Sequence, residues 1–185
     1  MILLAALALV LLSVPLTGGR LGALATLPLR GQSLLAAAMG LQILVVNVLP
    51  SAVAPRPLAA LHLVSYALAA AALLLNLRRL RGLWLVAVGG AMNAAAIVAN
   101  AGVMPAAPAA MRAAGLHPAA GEFVNSGAVA SPNLWWLGDV FAWPAPLPLA
   151  NVFSAGDLLL VAGFAAILHL GAHRPMVGAA RASTP

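Results

Sequence analysis

Two carboxylates carry most of the chemistry this chain can offer. Its 185 residues hold three acids, and two of them, Asp139 and Asp157, stand 18 positions apart. Asp139 lies in Leu137-Gly-Asp139-Val-Phe-Ala-Trp143, and Asp157 closes Ser154-Ala-Gly-Asp157 at the start of a long apolar run. A carboxylate at the edge of an apolar segment is costly, so both are candidate site residues. If they approach within a few ångström they cannot both ionise. One then acts as general base on a water and the other as general acid. The connection between them carries Pro144, Pro146 and Pro148. It can return the chain to its start or leave it extended, and the sequence allows both.

Asn47, His62, Asn100 and Ser154 are candidate binding residues beside the two acids. Each also has a structural reading. Ser154-Ala-Gly-Asp157 matches a capping box, in which Ser caps a helix and the acid answers its backbone N–H. Asp139 after Gly138 suits a turn. Asn100-Ala-Gly102 suits a helix end with Gly at C′. Asn47 and Asn93 suit hydrogen bonds between helices. His62 suits a core position, with Tyr66 one turn later on the same face. His169 and His173 read as interface residues, and Glu122 as solvated. No metal or cofactor is implied by these residues.

The elements that must position these residues are membrane helices. The chain is 64% hydrophobic and 6% charged, with mean hydropathy +1.06, against about 25% charged in a soluble domain. The expected fold is all-α, a single polytopic membrane domain with five transmembrane helices, over about 1–17, 33–53, 58–77, 83–104 and 155–172. Arg20 to Arg30 reads as an interfacial segment. The long loop over 105–154 is expected to hold a short helix from Pro108 to Gly115, with Pro at its start and Gly past its end. It also carries Trp135, Trp136 and Trp143, three of the four Trp, a composition suited to the headgroup layer.

Orientation follows from the arginines. Arg20, Arg30, Arg78, Arg79, Arg81, Arg174 and Arg181 fall on one side, Arg56 and Arg112 on the other. The positive-inside rule puts the first group and the C-terminus in the cytoplasm, and the N-terminus and the 105–154 loop outside, in a cytoplasmic membrane. The net charge of +6 therefore reads as topology. Nucleic acid is not an expected partner, because no basic patch is interleaved with aromatics. The expected partners are the bilayer, other membrane proteins or a lipid-like ligand. The chain has no Cys, which excludes disulfides, thiolate catalysis and Cys-ligated zinc.

Gly18-Gly19-Arg20-Leu, Asn100-Ala-Gly102-Val-Met104-Pro105, Leu137-Gly138-Asp139-Val and Val152-Phe-Ser154-Ala-Gly156-Asp157 resemble the motifs of an uncharacterised family of five-helix bacterial membrane proteins. That resemblance implies membrane integration and no activity. Gly138-Asp139-Val140-Phe141 and Ser154-Ala-Gly-Asp157 are also similar to the two motifs of signal peptidase II, a membrane aspartyl protease, although Ser154 stands where that family has Asn. This resemblance implies an Asp139–Asp157 dyad. Three functions therefore compete: a membrane protein with a polar, Asp-containing structural or ligand site at its outer face, an aspartate-dyad hydrolase, and a transporter or channel subunit. The absence of a mid-membrane acid or Arg and of an inverted repeat weighs against transport.

Overall fold

The computed structural model describes residues 2–49, 55–116 and 126–173. The expectations for Glu122, Arg174 and Arg181 lie outside these residues. Runs of Ala and Leu, the strongest helix formers, give α1 (Ile2–Leu16), α2 (Leu21–Leu24), α3 (Gln32–Ile43), α4 (Pro55–Asn76) and α5 (Leu83–Ala99). α6 (Pro108–Ala113) and α7 (Ala155–Ala172) follow. α3 continues into a π turn over Leu44–Val48. α6 starts on Pro108 and is followed by Gly115 at φ 66°.

The apolar stretch over 83–104 leaves the helix at Ala99. The Gly102 N–H reaches back to the Ile97 carbonyl at 2.9 Å, with Ala101 at φ 55° and Gly102 at φ 93°. This is a left-handed helix stop, but its C′ residue is Ala101 rather than the expected Gly102. Beyond it, Met104–Pro105 enters a strand.

α5 packs most extensively on α7, α3 on α4, and α1 on α7, whereas α4 and α5 meet sparsely. Glycines set the α5–α7 approach. A Cβ on Gly89 would stand 2.5 Å from the Gly156 carbonyl, and one on Gly163 would stand 2.8 Å from the Val86 nitrogen. Small residues of this kind let helix backbones touch. Gly90, next in sequence, has open space in front of it.

The segment between α5 and α7 is not purely helical. β1 (Met104–Pro105) pairs in parallel with β2 (Ser126–Gly127), and β3 (Phe141–Trp143) pairs antiparallel with β4 (Asn151–Phe153). Phe141 and Phe153 stack across the hairpin at 5.6 Å. α6 lies against the hairpin, and Ala110, Met111, Ala114 and Val152 form a small core there. Backbone polar groups taken out of water must pair, and extended pairing meets that need in a segment broken by prolines.

Among the described residues, α7 is the one helix long and apolar enough to cross a membrane. Ile2–Leu16, Gln32–Val48, Ala60–Asn76 and Leu83–Ala99 are shorter apolar helices.

Candidate functional site

The β3–β4 hairpin decides what the proline-rich connection left open. Phe141 pairs with Phe153, so the chain returns to its start. Asp139, two residues before β3, comes back towards Ser154 and the mouth of α7. Both acids, Asp139 and Asp157, line one cavity between α4 and α5.

Asp157 is fixed by three hydrogen bonds, and a fourth ties its two partners together. The Ser154 N–H donates to its Oδ2 at 3.0 Å, and its own N–H donates to Ser154 Oγ at 3.0 Å. These two bonds complete the capping box. The cap is not the whole role of Asp157. Asn93 Nδ2, from α5, donates to Oδ1 at 2.7 Å, and Ser154 Oγ donates to Asn93 Oδ1 at 2.9 Å. Asn93, Ser154 and Asp157 form a closed buried ring across the α5–α7 contact. Gly156 permits it, because a Cβ there would overlap the Asn93 amide.

Asp139 is held by its backbone. Its N–H donates to the Pro105 carbonyl at 2.8 Å, and its carbonyl accepts from the Ala107 N–H at 3.0 Å. Gly138 is required just before it, since a Cβ would strike the Pro105 carbonyl. The side chain is 6% exposed. Ser126 Oγ, from β2, donates to Oδ2. Oδ1 has no hydrogen-bond partner among the described residues. Burial pushes the Asp139 carboxyl from 3.8 up to about 6, the Ser126 hydrogen bond works in the opposite direction, and the Asp157 charge pushes it further up. The Asp157 charge is thus the smallest of the three influences on Asp139.

The cavity measures about 750 Å³, a size typical of small-molecule sites. At one end lie Asp139, Asp157, Asn93, Ser126, Asn151 and Tyr66; Ala69, Leu73, Ala87, Gly90 and Leu160 belong to its apolar wall. No basic residue lines it among the described residues.

Asn47, His62 and Asn100 do not line this cavity. Asn47 is exposed and donates to its own helix at the Ile43 carbonyl. His62 is buried with its ring edge-on to Tyr66 at 4.9 Å. Asn100 clamps the loop instead: its Nδ2 donates to the Asn133 carbonyl at 2.8 Å and its Oδ1 accepts from the Asn133 N–H at 2.9 Å. Ser154 supports the site through Asn93 and Asp157. Ser126, Asn151 and Tyr66 carried no site signal in the sequence. Ser126 and Asn151 reach the cavity through strand pairing, and Tyr66 through helix rotation.

A family model described as a family of unknown function (DUF5317) matches residues 26–169. No curated protein and no solved structure matches the chain.

Proposed function

The chain belongs to the DUF5317 family of unknown function, and we propose that it is a five-helix integral membrane protein that binds an amphiphilic, lipid-like ligand in the cleft between α4 and α5. The observation that carries this is the cavity itself. A cluster of polar groups, two of them carboxylates, sits at one end of an apolar wall, which suits a molecule with a polar head and an apolar chain.

The inside-out distribution of side chains supports membrane embedding. Leu4, Leu9, Leu12, Leu74 and Val98 face outward, while Ser65, Asn76, Asn93 and Asp157 are buried. Exposed apolar surface on this scale suits lipid rather than water. Trp135 and Trp136, 59% and 55% exposed, suit the headgroup layer. The arginine distribution supports an outer-face position for the cavity's polar end.

Protein purified in a neutral maltoside and titrated with spin-labelled amphiphiles should show one saturable site. Gly90→Phe, which projects into the cavity, should abolish it. Non-saturable partitioning that is identical in both proteins would sink the reading.

An aspartate-dyad hydrolase is the second reading, favoured by the presence of Asp139 and Asp157 in the lining of one cavity. It ranks below binding because both oxygens of Asp157 are already committed to Asn93 and Ser154. A dyad needs both carboxylates to share one water or proton. Asp139→Asn and Asp157→Asn should each abolish hydrolysis of a lipid-linked amide or ester if this reading holds. Turnover retained in either variant would rule it out.

A further inference from the structure

Resting on the amphiphile reading above, we propose that the ligand's head is cationic: an ammonium or quaternary ammonium group held against Asp139, with its chain along the apolar wall of α4 and α5. The polar end of the cleft is unbalanced in charge. It holds two carboxylates, and no basic residue among the described residues lines it. A buried carboxylate without a counter-charge is unfavourable, and a cation seated beside it removes most of that cost.

The two acids are not equivalent. Asp157 already receives Asn93 Nδ2 and the Ser154 N–H. Asp139 is more than nine-tenths buried, receives only Ser126 on Oδ2, and has Oδ1 without a hydrogen-bond partner among the described residues. Asp139 is therefore the group that a ligand head completes. Tyr66 lies in the same lining and adds an aromatic ring of the kind that attracts ammonium groups. A bare metal ion would leave the apolar wall unused, and an anionic head would meet two like charges.

The pH dependence of binding follows. Burial sets the Asp139 carboxyl at about 6, so the acid loses its charge below that value. Among the described residues, the other titratable groups lining the cleft are Asp157 of α7 and Tyr66 of α4. A permanently charged probe should bind more weakly as the medium is acidified through about pH 6.

The test uses the full chain in phosphatidylcholine nanodiscs, titrated with dodecyltrimethylammonium and, separately, dodecyl sulfate. The expected result is saturable binding of the cation about tenfold or more tighter than the anion. That preference should be lost in Asp139→Asn, and Gly90→Leu should weaken the cation by crowding the chain. Cation affinity in the wild type should fall between pH 7.5 and pH 5 and stay flat in Asp139→Asn. Equal or tighter binding of dodecyl sulfate, or an unchanged preference in Asp139→Asn, overturns the cationic head and leaves the amphiphile site standing. Saturable binding of neither probe overturns both.

Discussion

Asn93 of α5 donates a 2.7 Å hydrogen bond to the Asp157 carboxylate of α7. That contact converts a helix cap into a joint between two helices. A capping box satisfies only the first turn of its own helix. Here the cap's Ser and Asp both reach the same Asn on a neighbour.

The joint should appear as coupling. Asn93→Ala should cost about 1.5–3 kcal/mol, the range for a hydrogen bond to a charged group. Ser154→Ala should cost about 1–2 kcal/mol. Unfolding of Asn93→Ala, Asp157→Ala and the double variant should give a coupling energy of about 1 kcal/mol or more. Strict additivity would show that the two helices do not share this network.

Gly89 and Gly90 are neighbours in sequence with opposite surroundings. Gly89 faces the Gly156 carbonyl, and Gly90 faces open space. Gly89→Ala and Gly156→Ala should each destabilise by about 1–3 kcal/mol through overpacking. Gly90→Ala should be neutral or slightly stabilising, since Ala favours helix over Gly. Similar thermal melting of all three variants would contradict the α5–α7 contact.

Asp139 should leave a signature in stability against pH. Its folded pKa, about 6, is raised above the unfolded value of 3.8. The folded state therefore binds more protons between those values. The Asp139 contribution to stability is largest below about pH 4, falls as pH rises to about 6, and levels off above that, with a span on the order of 3 kcal/mol. Denaturant titrations in detergent from pH 4 to 8 should show this decline in the wild type, and Asp139→Asn should flatten it.

His173 should behave in the same sense from the other end of α7. Its Nδ1 lies 2.7 Å from the His169 carbonyl and its Nε2 lies 3.0 Å from the Thr17 carbonyl. Both partners only accept, so both contacts are hydrogen bonds only when the ring carries two protons. Those bonds hold the His173 pKa above its ordinary 6.5. The stability they add is present below 6.5 and is lost as pH rises through the folded pKa. An NMR titration of the His173 ring with a midpoint at or below 6.5 would refute this link between α1 and α7.

Orientation is open to a direct test. A reporter active only outside the cytoplasm should work when fused after Gly127, and lipid-borne quenchers should quench Trp135 and Trp136. A fusion active only in the cytoplasm would invert the placement of the polar end of the cleft.

The sequence by itself determined the elements whose causes are local. A helix start such as Pro108 or Ser154-Ala-Gly-Asp157 is written in neighbouring residues, because capping and proline effects act within one turn. Apolar runs of Ala and Leu show where helices form, and the few acids show where chemistry can reside. The location of the left-handed stop was legible only to within one residue, since Ala101 and Gly102 both adopt positive φ. Tertiary structure alone decided the rest. The return of Asp139 towards Asp157 depends on the Phe141–Phe153 pairing, a long-range event that no spacing of prolines specifies. The partner of Asp157 is Asn93 rather than His62 or Asn100, because the Gly89, Gly156 and Gly163 contacts fix how α5 is rotated and seated on α7. In a chain of Ala and Leu every face of a helix has nearly the same hydrophobicity, so periodicity carries little about which side turns inward. That choice rests on close contact between backbones, which exists only once the helices are packed.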